Sequence, residues 1–131
     1  MNKTFTSLLV LALFFSLYLS FAAVKAETKG DPAAGKEKYD QICASCHGPG
    51  GKGDGPAAAA LDPKPRDLSD APYVSTLTDE HIFKTIKEGG AAVGKSPLMP
   101  AWGGALSDDD IWNVIAYIRK DICKCEYKAQ Q

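Results

Sequence analysis

Apolar residues recur at helical spacing in the C-terminal part of the chain. Ser107 suits the N-cap of a helix, and the three aspartates that follow it complement the positive end of the helix dipole. The apolar stripe consists of Ile111, Val114, Ile115, Ile118 and Ile122. This spacing predicts an amphipathic helix that packs one face into a core.

Two more helices are predicted upstream. The first begins at Asp31, with Pro32 at its first position, and runs into Cys43. The second begins after Thr78 and ends at Gly89. The apolar faces carry Gly35, Tyr39 and Ile42 in the first helix and Ile82, Phe83 and Ile86 in the second. No stretch alternates as a strand does, so the predicted fold class is all-α.

Glycine and proline crowd the segment between these two helices, residues 48–70. Such a segment excludes a long helix or a central strand, although Pro56 permits one short helix over 57–61. Long irregular loops in compact domains are often functional. We expect this loop to wrap around a bound group.

The first 26 residues have the pattern of a secretory signal. Lys3 precedes an apolar core over 8–19, and the small residues around Ala26 resemble a cleavage site. We expect cleavage after Ala26 and export to the periplasm. The alternative is an uncleaved anchor through residues 5–23, which would hold the protein on the membrane facing the periplasm.

The mature part, residues 27–131, is predicted to be one domain with a C-terminal tail over 122–131. Loss of the signal removes two lysines, so sixteen acidic residues face thirteen basic ones and the net charge is −3. This charge disfavours nucleic acid as a partner, because phosphate binding needs a basic face. We expect a monomer.

The pentapeptide Cys43-Ala44-Ser45-Cys46-His47 has the spacing of a c-type haem attachment site. Two thiols three positions apart on a helical turn can each add to a vinyl group of one porphyrin. The adjacent histidine can reach the iron through Nε2 while its Nδ1–H donates to a carbonyl. One covalent haem c is therefore the predicted cofactor, with Cys43 and Cys46 as thioethers and His47 as an axial ligand.

Met99 is the predicted second axial ligand of the iron. It is the only methionine left once the signal is removed, and methionine or histidine usually completes an electron-transfer haem. Pro97 and Pro100 stiffen its loop, so little chain entropy is lost on coordination. The alternative ligand is His81, which lies off the apolar face of its helix and is expected to be solvated.

Several other residues carry separate expectations. Arg66 could pair with a haem propionate or lie exposed in its loop. Trp102 is expected near the haem, and Trp112 in the ordinary core. Cys123 and Cys125 lack the spacing of a second haem site. In an oxidising compartment they could pair with each other, pair between molecules, or remain free.

The chain resembles class I cytochromes c, the small soluble carriers with haem attached near the N-terminus. The resemblance spans residues 30–121 and rests on the segments 30–48, 99–102 and 111–118. The long Gly/Pro loop is more similar to bacterial periplasmic members than to photosynthetic ones. The tail with its two cysteines departs from the family pattern.

This resemblance implies a cytochrome c fold around one haem. Its N- and C-terminal helices would cross at a small residue and aromatics, here Gly35, Tyr39, Val114 and Tyr117. A proline after the haem motif would supply the carbonyl that accepts from His47, and both Pro63 and Pro65 are candidates.

The predicted function is that of an exported electron carrier, which cycles Fe(II)/Fe(III) at a haem with no open position. Its predicted partners are larger membrane-bound or periplasmic redox proteins, met by brief contact. If Met99 does not ligate, the chain could be a haem enzyme or the electron-entry subunit of a periplasmic oxidoreductase. A third alternative uses the four cysteines in thiol–disulfide or zinc chemistry, although the βαβ context of a thioredoxin-like site is missing.

Overall fold

The computed structural model describes residues 29–128. The predicted signal, residues 1–26, lies outside this part of the chain. Within it there is no strand, and the all-α prediction is confirmed. The helices are α1 (Pro32–Lys38), α2 (Ala44–His47), α3 (Ala71–Val74), α4 (Asp79–Glu88) and α5 (Asp108–Tyr117). No helix among residues 29–128 is long and apolar enough to cross a membrane.

Two π-helical segments extend the terminal helices. Tyr39–Cys43 joins α1 to α2 in one continuous helical run, and Ile118–Ile122 continues α5. The sequence pattern predicted plain α-helix at both places. A π turn contains one more residue per hydrogen-bonded turn than an α turn does, so every later side chain is rotated about the helix axis. Such turns are frequent at functional sites. Here the first π segment ends at Cys43, where the haem motif begins.

Local capping groups begin the three predicted helices where the sequence indicated. Asp31 accepts from the Ala33 N–H at 2.9 Å, and Thr78 accepts from the His81 N–H at 3.0 Å. At the start of α5, Ser107 accepts from the Asp110 N–H at 3.1 Å, and the Asp110 carboxylate accepts from the Ser107 N–H. Each cap satisfies a backbone donor that has no partner inside its own helix.

The loop between α2 and α4 contains more structure than the sequence analysis predicted. The short helix over 57–61 is a single 3-10 turn, Ala58–Ala60. A second 3-10 turn, Gly90–Val93, lies outside this loop, directly after α4. Helix α3 was not predicted at all. Its signal is present, since the Asp70 carboxylate accepts from the Tyr73 N–H and Pro72 lies in the first turn.

Helices α1 and α5 cross backbone to backbone. A Cβ atom on Gly35 would lie 1.8 Å from the Asn113 carbonyl oxygen, so only glycine allows this approach. Beside the crossing, the Tyr39 ring meets the edge of Tyr117 with 5.3 Å between centroids. Val114 is fully buried in the same core. The four residues that the family resemblance implied at this crossing are all confirmed.

The C-terminal segment packs against the start of α4 through a buried arginine. Arg119, which is 3 % exposed, pairs with Asp79 at 2.8 Å and donates to the carbonyl oxygens of Val74 and Leu77. Arg119 lies in the π-helical segment Ile118–Ile122, where its side chain points into the protein. The following Cys123 and Cys125 form a disulfide with each other.

Candidate haem site

A cavity of about 540 Å³ lies between the motif helix α2, the Gly/Pro loop, α4 and the segment that carries Met99. Its volume falls in the range of about 300–1,000 Å³ that is typical of small-molecule and cofactor sites. The lining is largely apolar and includes Ile42, Leu61, Leu68, Leu77, Ile82, Ile86 and Ile118. Cys43, Cys46, His47 and Met99 all line this one cavity.

The Gly/Pro loop caps the end of the motif helix. The N–H groups of Gly53, Gly55 and Ala57 donate to the carbonyls of His47, Cys46 and Ser45 at 2.8, 3.1 and 2.9 Å. These carbonyls are the ones that a helix C-terminus leaves without partners. A Cβ on Gly53 would lie 2.2 Å from the Pro65 carbonyl oxygen, so this glycine lets the loop fold onto itself. The loop thereby holds the Pro-rich segment against the motif.

That arrangement fixes the ring of His47. Its Nδ1 lies 3.1 Å from the carbonyl oxygen of Arg66. Because a carbonyl can only accept, Nδ1 carries the proton and Nε2 keeps its lone pair. Burial lowers the pKa of His47, against the opposing effect of the Arg66 hydrogen bond, and favours the neutral ring. The expectation that Pro63 or Pro65 supplies this carbonyl was wrong, because the chain turns so that the next residue faces the imidazole.

The two motif cysteines are free and partly buried. Burial raises the pKa of the Cys43 thiol to about 12, and the neighbouring Cys46 adds to the effect. Redox-active Cys-x-x-Cys pairs instead have a thiolate with a lowered pKa, so the site does not resemble a thiol–disulfide oxidoreductase. The zinc alternative required all four cysteines as ligands, and two of them, Cys123 and Cys125, are bonded to each other in a disulfide.

Met99 enters the cavity from a segment tied to the end of α4. Its carbonyl accepts from the Gly90 N–H at 3.0 Å, and its N–H donates to the Ser96 carbonyl at 3.3 Å. A Cβ on Gly90 would lie 2.2 Å from the Ser96 carbonyl oxygen, so the glycine lets the segment approach this closely. Three residues on, the Trp102 N–H donates to the Ile86 carbonyl at 2.9 Å. The segment is therefore held at several points along its length.

Three side chains near the site can be compared with the sequence expectations. Trp102 lines the cavity, as expected, while Trp112 packs on the core and stacks on Phe83 with 4.7 Å between centroids. His81 differs from expectation, because it is half-buried and lines the cavity. The face of α4 that lines the cavity includes more than the predicted apolar residues. His81 and Thr85 line it together with Ile82 and Ile86.

Arg66 lines the cavity, and its backbone carbonyl is the hydrogen-bond acceptor for His47. Its guanidinium lies over the ring of Tyr73, 4.2 Å from the centroid, and the side chain is exposed. The structure thus gives Arg66 a second role, because its carbonyl accepts the hydrogen bond from His47. No sequence signal marks a backbone carbonyl, which any residue at this place would supply.

The site as a whole fits a covalent haem. Paired thiols, a neutral imidazole with a free Nε2 and a thioether are the donor set of a c-type haem with histidine and methionine ligands. Residues 30–118 match the family described as "Cytochrome C oxidase, cbb3-type, subunit III". The chain belongs to this family of c-type cytochromes. It carries haem c and transfers electrons, and its relatives place it among the small class I members.

Two relatives and one solved structure illustrate the match. The cytochrome is 37 % identical to cytochrome c-554(547) of Halothiobacillus neapolitanus over 94 residues, which are 68 % of this chain and 94 % of that protein. It is 30 % identical to the cbb3-type oxidase subunit FixPc of Rhizobium leguminosarum bv. viciae over 70 % of this chain, but only 29 % of that subunit. The KustC0563 c-type cytochrome has a TM-score of 0.51 at 25 % identity, over 66 % of this chain and 94 % of that one.

Proposed function

We propose that the cytochrome is a single-electron carrier whose haem is held by Cys43 and Cys46 and ligated by His47 and Met99. When bound, the haem supplies a one-electron Fe(II)/Fe(III) couple. The observation that carries the proposal is that both thiols, the imidazole and the one thioether of the mature chain line the same cavity. If His47 and Met99 occupy both axial positions of the iron, no position is open for a substrate, and the protein is a carrier rather than an enzyme.

The chain's own residues tune and protect such a centre. The Arg66 carbonyl keeps His47 in the tautomer whose Nε2 can bind iron and raises the basicity of the ring. The apolar lining would keep water away from a bound haem, and solvent exclusion is one of the means by which a protein sets a haem potential. The exposed guanidinium of Arg66, which lines the cavity, could pair with a haem propionate.

The location proposed for this function is the periplasm. The support is the signal-like pattern over residues 1–26, with an uncleaved anchor facing the same compartment as the alternative. The partners we propose are larger redox proteins in or on the membrane or in the periplasm, met through brief contacts. The match to part of an oxidase subunit supports contact with such complexes.

The same match favours one second candidate, an electron-entry subunit that stays bound to an oxidoreductase. FixPc is named as a subunit of a cbb3-type cytochrome c oxidase, and this chain spans 29 % of its length. A permanent subunit would co-purify with its complex from membranes, whereas a carrier would be recovered alone.

Carbon monoxide binding to the reduced protein tests whether the sixth position is taken. With His47 and Met99 both bound, the wild type should bind carbon monoxide poorly at neutral pH. Met99→Ala should bind it readily and have a lower reduction potential, because thioether ligation favours the reduced state. Wild-type protein that binds carbon monoxide as fast as Met99→Ala would support an enzyme with an open iron.

His81→Ala is the matched control, since His81 also lines the cavity. We expect this variant to keep the wild-type spectrum and to bind carbon monoxide poorly. If His81→Ala opens the iron while Met99→Ala does not, the ligand pair is two histidines and the assignment of Met99 is wrong.

A further inference from the structure

The disulfide between Cys123 and Cys125 closes a ring around a single residue, Lys124. A disulfide stabilises a protein mainly by restricting the unfolded chain, and its effect grows with the length of the loop that it closes. A bond between cysteines two positions apart therefore restricts very little chain. Lys124 also has a φ of 51°, in the left-handed region that residues with side chains rarely adopt. These two features argue against a purely structural cross-link.

The two cysteines of this disulfide differ in their access to solvent. Cys123 is 5 % exposed, whereas Cys125 is only partly buried and lies between the exposed residues Lys124 and Glu126. Reactive cysteines are found at partly exposed positions, while fully buried cysteines are inert. An incoming thiolate can therefore reach the sulfur of Cys125 more easily than the sulfur of Cys123.

The charged groups around Cys125 favour a thiolate at this sulfur. Nη1 of the buried Arg119 lies 3.6 Å from Cys125 Sγ. Asp79 bonds to the same guanidinium through Nε and Nη2, each at 2.8 Å, so that Nη1 remains directed at the sulfur. Lys124 and Glu126, the neighbours of Cys125 in the chain, carry opposite charges and are exposed. A guanidinium beside a cysteine stabilises its thiolate, which is the nucleophilic form.

The surroundings of Cys123 suit a neutral thiol. Its Sγ lies 3.7 Å from the carbonyl oxygens of Arg119 and Cys125. These oxygens can accept from an S–H group, whereas a disulfide sulfur has no proton to donate. The backbone also holds the pair independently of the disulfide, since the N–H groups of Cys123 and Cys125 donate to the carbonyls of Ile118 and Arg119 at 2.8 and 3.0 Å. The same backbone can therefore carry the pair in its reduced form and in its oxidised form.

We propose that Cys123 and Cys125 form a reversible thiol–disulfide site whose substrate is a dithiol. Cys125 is the sulfur that reacts with the substrate, Cys123 is the resolving sulfur, and Arg119 stabilises the Cys125 thiolate. Neither cysteine lines the haem cavity, so this is a second redox site on the same chain. The inference goes beyond the proposed electron transfer and does not depend on it.

The reaction proceeds by two thiol–disulfide exchanges. A thiolate of the dithiol attacks Sγ of Cys125, the disulfide breaks, and Cys123 leaves with the bonding electron pair and takes up a proton. The second thiolate of the dithiol then attacks the substrate sulfur of the mixed disulfide, and Cys125 leaves as a thiolate beside Arg119. The dithiol becomes a disulfide, and the cysteine pair gains two electrons. Of the two protons that the dithiol gives up, one stays on Cys123 and the other goes to solvent.

Dithiothreitol tests the reversible site in the wild-type holoprotein. Cys43 and Cys46 carry the haem there, so maleimide trapping followed by mass spectrometry should count two new thiols after reduction. We expect both thiols to appear while the haem spectrum and the melting transition remain, and oxidised dithiothreitol to remove them again. A disulfide that opens only after the protein is unfolded in guanidinium chloride would overturn the inference. Four trapped thiols would instead show that haem is not attached, which contradicts the proposed function and not this inference.

Two single variants test which sulfur reacts. Cys123→Ser leaves Cys125 as the one thiol of this pair, and Cys125→Ser leaves Cys123. Each is mixed with the aromatic disulfide dithionitrobenzoate, which releases a coloured thiolate. At pH 7 we expect the Cys125 thiol to react about ten-fold faster than the Cys123 thiol, because it is more exposed and stabilised as a thiolate. Equal rates, or a faster Cys123, would overturn the assignment.

A third variant tests the effect of Arg119. Tyr127→Cys, made in a chain with serine at both 123 and 125, places a thiol at an exposed position of the same tail and changes no charged residue. The Cys125 thiol should reach half of its maximal rate at a lower pH than this control thiol, because the guanidinium lies beside it. Equal pH profiles would overturn the role of Arg119. The wild-type titration with dithiothreitol tests the site even if one of these variants does not fold.

Discussion

The carbonyl oxygen of Asn113 occupies the space where a side chain on Gly35 would have to be, 1.8 Å from the position of its Cβ atom. The backbones of α1 and α5 are therefore in direct contact at Gly35 and Asn113. The same contact is supported by the Asp31 N–H, which donates to the Asn113 side chain at 2.7 Å. Because α1 continues into the motif helix α2, this crossing also fixes where Cys43 and His47 enter the cavity.

Gly35→Ala should destabilise the holoprotein strongly. The added methyl group has to push two backbones apart, and overpacking of this kind costs about 1–3 kcal/mol or more. The free energy of unfolding from denaturant titration measures the loss. Gly50→Ala is the control, because nothing lies within 4 Å of a Cβ at Gly50. Equal stability of the two variants would contradict the backbone crossing.

Covalent haem should require the motif cysteines and not the C-terminal pair. Cys43→Ala and Cys46→Ala should each give little holoprotein after export with haem-maturation factors, because each removes one thioether. Cys123→Ser should keep the pigment, since the sulfurs of Cys123 and Cys125 are bonded to each other and do not line the cavity. Haem staining of denaturing gels separates these outcomes. A colourless wild-type band would refute the attachment site.

Arg119→Met should destabilise the protein by about 3–5 kcal/mol, because it leaves Asp79, the buried carbonyl of Val74 and the partly buried carbonyl of Leu77 without their donor. Arg119→Lys should restore little, since one ammonium cannot reach the three acceptors that the planar guanidinium serves. Lys120→Met, at an exposed neighbour, is the control. Thermal unfolding of the four proteins gives the comparison, and a wild-type melting temperature for Arg119→Met would exclude a structural role.

Acid should weaken the start of α5. Hydrogen bonds from Ser107 lower the pKa of Asp110 below its ordinary value of 3.8, so this carboxylate stabilises the fold above pH 3.8 and loses that effect as the pH falls further. Asp110→Asn should therefore melt a few degrees lower than wild type at pH 7, and the difference should shrink in acid. Asp109→Asn, in the same helical turn, should show a smaller change at pH 7. Equal pH profiles for the two variants would contradict the capping box.

Much of the fold could be predicted because its signals are local. The starts of the three main helices depend on Asp31, Thr78 and Ser107, whose side chains bond to backbone only two or three residues away. The spacing of Cys43, Cys46 and His47 is likewise contained in five consecutive residues. Helix α3 had an equally local signal in Asp70 and Pro72, and it was missed because the surrounding loop is so rich in glycine and proline.

Only the tertiary structure could decide which groups face the cavity. Nothing in the sequence marks Arg66 as the partner of His47. Its backbone carbonyl reaches the His47 ring because Gly53 lets two distant parts of the loop pack closely. His81 faces the cavity because packing sets the rotation of α4 about its axis. A histidine beside an apolar stripe has the same sequence pattern whether it faces a cavity or solvent. The sequence by itself determined the cofactor chemistry and the three main helices, which depend on neighbours in the chain. The acceptor of His47 and the burial of Arg119 depend on residues far apart in sequence, whose approach is determined by packing.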